Sequence, residues 1–154
     1  MNNIVLISGG FDPVHSGHIQ LIKEASKYGN VVVLLNSDEW LRKKKGKEFL
    51  PYKERKIIMG AIKSVISVIS FDDSDNTCID GIRKAILNYS SNKIIFANGG
   101  DRNDNTTPEI KFCEDNNVKT IWGIGGTNKA NSSSLDLSLI LSTSNPIFVK
   151  RSTT

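Results

Sequence analysis

Histidine and cysteine are scarce in this chain of 154 residues, with two of each. Cys78 and Cys113 lie far apart, with no C-x-x-C pair and no closely spaced framework. That excludes a disulfide-built small scaffold and a cysteine zinc module, and two reduced thiols in a cytoplasmic protein are expected. A pairing between them stays open only if the fold brings them together. Long apolar runs are also missing. The longest, 31–35, is far too short to span a membrane. No charged n-region and apolar h-region follow Met1, so no signal peptide is expected. Aromatic residues are few, at 7%, and of the two Trp and three Tyr only Tyr52 is placed with the basic run. A base-stacking platform for nucleic acid is therefore not expected.

Net charge is small as well, at +4. It is unevenly placed. Residues 42–56 hold eight basic and two acidic side chains, so the rest of the chain is slightly acidic. One basic segment on a nearly neutral body points to a local anionic ligand rather than a broad polyanion surface.

With 38% hydrophobic and 23% charged residues, the chain has the composition of one globular domain. Short apolar runs at 4–8, 31–36, 65–71, 93–97 and 118–122 read as buried strands. Between them, helical spacing marks 17–28, a helix opened by Pro51, 76–87 and 108–116. In the second of these, Ile57, Ile58, Ala61 and Ile62 are expected to form the apolar face. A last helix is expected over 132–141, followed by a tail over 142–154. The alternation predicts a single doubly wound, Rossmann-like α/β domain over 1–141 with a five-stranded parallel sheet. Ligands of such sheets bind beyond the carboxyl ends of the strands.

Both histidines fall just after the first strand, in Gly9-Gly10-Phe11-Asp12-Pro13-Val14-His15-Ser16-Gly17-His18. Glycines 9, 10 and 17 allow close backbone approach, and a helix start offers N–H groups to a phosphate. At spacing i, i+3 the two imidazoles share one side of the first turn and can each donate to a phosphate oxygen. A metal pair is the alternative, and it needs a third ligand from an acidic residue. There is no G-x-G-x-x-G and no Walker A sequence.

The His15-Ser16-Gly17-His18 signature in this setting resembles the HxGH nucleotidyltransferases, in particular glycerol-3-phosphate cytidylyltransferases and heptose-1-phosphate adenylyltransferase domains. The likeness extends to Asn36-Ser37-Asp38-Glu39, the lysine stretch with Pro51-x-x-Glu54-Arg55, Asn98-Gly99-Gly100-Asp101 and Ser132-Ser133-Ser134. It implies attack by a phosphate monoester on the α-phosphorus of a nucleoside triphosphate, with Mg²⁺ on the triphosphate and release of pyrophosphate. The acceptor would be glycerol 3-phosphate or a sugar phosphate. The donor would be CTP, with ATP as the alternative, and small members of the family form homodimers. An inactive nucleotide-binding module on the same fold is the further alternative.

By the resemblance, His15, His18, Lys43, Lys44 and Arg55 would act on the phosphates. Which of Lys43, Lys44 and Lys45 reaches them is open. Asp12 would orient the loop or bind through a metal, and Gly9, Gly10, Phe11 and Gly17 would line the nucleotide. Gly99 and Asp101 would meet base or ribose unless they form a plain turn. Ser132, Ser133 and Ser134 would hold the leaving phosphates, cap a helix, or do both. One departure stands out. Thr127 and Lys129 occupy the region where glycerol-3-phosphate cytidylyltransferases carry an arginine. Residues 103–109, with Arg102, are expected to shape an acceptor pocket.

Overall fold

The computed structural model describes residues 2–99 and 107–125. The expected helix over 132–141, the tail, and the site residues Asp101, Ser132, Ser133 and Ser134 lie outside the described residues.

Five parallel strands form one sheet: β1 (Ile4–Gly9), β2 (Asn30–Leu35), β3 (Val65–Ser70), β4 (Ile94–Gly99) and β5 (Lys119–Ile124), in the order β3-β2-β1-β4-β5. Each falls on one of the short apolar runs of the sequence. Five helices connect or flank them: α1 (Ser16–Ala25), α2 (Asp38–Lys45), α3 (Tyr52–Gly60), α4 (Ile79–Asn88) and α5 (Pro108–Asp115). Both faces of the sheet are covered. Val5, Ile7, Val31, Val33 and Leu35 share a core with Ile22 and Ala25 of α1 and Met59 of α3. Ile4, Leu6, Val32 and Leu34 meet Ile82 and Ala85 of α4 and Cys113 ahead of β5. Burial on both faces is why the central strands lack polar alternation.

Two local readings change. α2 was not expected, because only Leu41 of its eight residues is buried and no apolar stripe exists. Its signals are at its ends instead. Ser37 caps it, Asp38 and Glu39 begin it, four basic residues finish it, and Gly46 follows at φ 89°. Each agrees with the helix dipole or with a left-handed terminator. In α3 the buried residues are Arg55 and Met59, while Ile57 and Ala61 are exposed. The expected apolar face is therefore replaced by one centred on a buried arginine. Cys78 and Cys113 are both buried free thiols.

Candidate active site

The order β3-β2-β1-β4-β5 reverses direction between β1 and β4, and this is where a doubly wound sheet opens a crevice at its carboxyl edge. The histidine loop leaves β1 at that point. Its left-handed residue is Phe11, at φ 47°, rather than either glycine, and a cis bond joins Asp12 to Pro13. Gly9 and Gly10 serve packing. A Cβ on Gly9 would sit 3.2 Å from the Phe11 ring, and one on Gly10 would lie 2.6 Å from Leu41 Cδ2. Gly10 thus lets α2 close against the loop.

The two histidines begin α1 as a reciprocal cap. Gly17 N donates to His15 Nδ1 at 3.0 Å, and His15 N donates to His18 Nδ1 at 3.2 Å. The imidazoles so fill the places that a hydroxyl and a carboxamide usually take in a capping box. With each Nδ1 accepting, the hydrogen-bond pattern assigns the proton of each neutral ring to Nε2. The rings stack with centroids 3.9 Å apart, and Phe11 meets His18 edge-on at 4.9 Å. Burial, then the neighbouring His15, lowers the His18 pKa to about 3. His18 is therefore a neutral donor at physiological pH.

Asp12 orients the loop. Its carboxylate accepts from Phe49 N at 2.5 Å and Leu50 N at 2.7 Å, and it pairs with Lys45 at 3.1 Å. Lys45 also donates to the Asp12 carbonyl. These contacts favour the orienting role over the metal-binding one, because both oxygens already hold the 45–50 segment.

The basic stretch is also redistributed. Lys45 is the lysine the structure brings to the histidine loop. Lys44, expected at the phosphates, lies over the Trp40 ring at 4.8 Å, and Lys43 lines a groove with Glu39, Arg42 and Asp73. Arg42 makes a two-point pair with Glu48, at 2.8 Å for each contact.

Arg55 departs furthest from its expected phosphate contact. Its side chain is fully buried. Nε donates to Leu50 O at 2.9 Å, Nη1 to Gly10 O at 3.0 Å and Asn36 O at 2.9 Å, and Nη2 to Asp38 at 2.6 Å. The guanidinium joins the β1 loop, the end of β2, the start of α2 and the approach to α3. The planar fork that suits a phosphate is turned onto carbonyls of the protein itself.

Asp73 was not singled out from the sequence. It is buried after β3 and accepts from Asn36 Nδ2 at 3.0 Å, Ser37 N at 2.8 Å and Ser37 Oγ at 2.7 Å. Ser37 Oγ in turn accepts from Trp40 N at 3.0 Å. Asp73 therefore fixes the cap of α2. Nothing in its local sequence marks it, since the contact spans 36 residues.

A cleft of about 450 Å³ opens beside the loop, between α4 and α5. Ser8 of β1, Phe96 of β4 and Trp122 of β5 line it, with Asp75, Thr77 and Glu109 around them. Glu109, the last residue of the 103–109 segment, is among the lining residues, while residues 102–106 lie outside the described residues. Gly99 closes β4 opposite Ile124, across a shift in register. Among the described residues no group of three or more His, Cys, Asp or Glu could hold a metal ion, and no helix is long and apolar enough to cross a membrane.

Comparison with known proteins agrees with this architecture. The chain is 33% identical over 111 residues to the bifunctional protein HldE of Citrobacter koseri and, equally, to that of Salmonella arizonae. Each match takes in 64% of this chain and 23% of the relative, so the chain spans about a quarter of those proteins' length. A lipopolysaccharide core biosynthesis protein from Thermoplasma volcanium superposes with a TM-score of 0.60 at 23% identity, over 79% of this chain and 96% of that one. A candidate nicotinate-nucleotide adenylyltransferase from Vibrio parahaemolyticus gives 0.62 at 19% identity, over 96% and 91%. At such identities these two share the fold. Residues 6–129 match the model of the cytidylyltransferase-like family, and the chain belongs to that family.

Proposed function

We propose that the protein is a nucleotidyltransferase that joins a nucleoside triphosphate to a small phosphate monoester. An oxygen of the acceptor phosphate attacks the α-phosphorus. A phosphoanhydride bond forms, the bond to the β-phosphate bridging oxygen breaks, and pyrophosphate leaves. The observation that carries this reading is the stacked His15–His18 pair, with both Nδ1 atoms engaged by the backbone and both Nε2 positions assigned as donors.

The attacking oxygen is already anionic, so positioning and charge stabilisation outweigh any need for a base. Two neutral imidazole donors at a helix N-terminus suit the charge that grows on the α-phosphoryl and leaving oxygens. Lys45 adds a cation at the loop, and Arg55 acts as a positioning residue beneath it. Mg²⁺ would travel on the triphosphate and neutralise part of its charge, as that ion commonly does when phosphates supply its ligands. The cleft beside Ser8 would take the body of the acceptor.

CTP is the proposed donor. ATP is the second reading, favoured by Thr127 standing where the glycerol-3-phosphate type has an arginine, with Lys129 nearby in the sequence. A homodimer working in the cytoplasm completes the proposal. The test is a matrix of CTP and ATP against phosphate monoesters with Mg²⁺, read as pyrophosphate release. Release with at least one pair is expected. Nucleotide binding without turnover of any pair would favour an inactive binding module.

A further inference from the structure

The acceptor cleft has a charge opposite to that of the phosphate side. Among its described lining residues there are two carboxylates, Asp75 and Glu109, and neither lysine nor arginine. Asp75 is held in place, with Oδ1 accepting from Thr77 N at 2.9 Å and Thr77 Oγ1 at 2.8 Å. Glu109 lies in the first turn of α5 and reaches across to the start of α4, where its Oε2 accepts from Cys78 N at 3.3 Å. The carboxylate therefore stands between two helix starts at the mouth of the cleft. Its field is felt inside. Burial first, and the Glu109 charge among the smaller causes, push the Cys78 thiol up to about 12.

We infer that Glu109, seconded by Asp75, is a specificity-determining residue that excludes acceptors whose far end is anionic. This rests on the transferase reading above. Ser8 and Thr77 offer hydroxyls, Trp122 and Phe96 offer apolar faces, and the carboxylates accept hydrogen bonds from neutral hydroxyl groups. A second negative group on the acceptor would meet like charge in a partly desolvated cleft, where repulsion is felt strongly. Selectivity then comes from a repulsive element as much as from an attractive one. The acceptor's own phosphate is spared because it sits with the histidines and Lys45.

The test compares acceptors that differ by one CH₂OH for one carboxylate: glycerol 3-phosphate with 3-phosphoglycerate, and glucose 1-phosphate with glucuronic acid 1-phosphate. Wild type should favour the neutral member by about 100-fold or more in kcat/KM. Glu109→Gln keeps the size and the oxygen that accepts from Cys78, and should narrow the preference roughly tenfold. Asp75→Asn, which keeps its turn contacts, should narrow it as well. The wild-type preference should also shrink with added salt, a response that a purely structural role would not produce. Equal use of both members by wild type, or a ratio unchanged in both variants, would overturn the inference and leave the transferase reading intact. No pyrophosphate from any acceptor with either nucleotide would overturn both.

Discussion

Each imidazole at the start of α1 divides its nitrogens between two tasks. Nδ1 caps the helix, and Nε2 is the donor that the proposed reaction would use. Replacing either histidine by alanine should lower kcat by about 100-fold or more, as for the loss of one transition-state donor. Steady-state rates of His15→Ala and His18→Ala check this, and full activity in both would remove them from the mechanism. The pKa of His18, lowered to about 3, has its own consequence. The folded state resists protonation, while the unfolded chain takes up a proton below the usual value of 6.5. Stability should therefore be intact above pH 6.5 and fall as the pH drops towards 3, by at most about 1.4 kcal/mol per pH unit from this group. Thermal melts across that range should show a flatter acid limb for His18→Ala. The histidine motif was legible in the sequence because its residues are contiguous. Arg55 was legible as important and not as buried, because its partners, Gly10 and Asn36, lie 45 and 19 residues away. Arg55→Ala leaves those carbonyls without their donor and should cost about 3 kcal/mol or more, measured by denaturant unfolding.

Among the elements, α2 decides where the basic residues go. It is short and almost without apolar contacts, so its position depends on its ends and on one close approach. Asp73 and Ser37 hold the first turn, and Leu41 seats against Gly10. Ser37→Ala should cost about 1 kcal/mol through the lost cap. Gly10→Ala should cost about 1–3 kcal/mol, because the new Cβ meets Leu41 in a closed space. The pair Gly10→Ala with Leu41→Ala should lose less than the sum of its parts in the same unfolding experiment; additive losses would mean that the approach is not what requires glycine. Hydrophobic periodicity revealed the strands and the flanking helices, since burial writes itself into apolar spacing. It could not reveal α2, whose record in the sequence is the cap, the charge gradient and the terminal glycine.

For the whole molecule, the basic segment acquires a more exact meaning. Arg42 pairs with Glu48, Lys44 covers Trp40, Arg55 is a buried strut, and Lys45 stands beside Asp12. These four of the segment's eight basic side chains are engaged by groups of the protein itself. The cleft lined by Ser8, Asp75 and Glu109 carries acidic side chains, and in the proposed reaction it would take the acceptor's body while the histidine loop takes the phosphates. This acidic lining was not legible from composition, because Asp75 and Glu109 are distant in the chain and come to one cleft only in the folded protein. The doubly wound parallel sheet was legible, whereas its strand order, with the reversal between β1 and β4, comes from the structure. The most direct measurement follows an α-phosphate-labelled nucleotide through the reaction with a neutral phosphate monoester. The account predicts one pyrophosphate released for each label that enters a phosphoanhydride product. Release of inorganic phosphate or nucleoside diphosphate in place of pyrophosphate would place the attack on another phosphorus and contradict it.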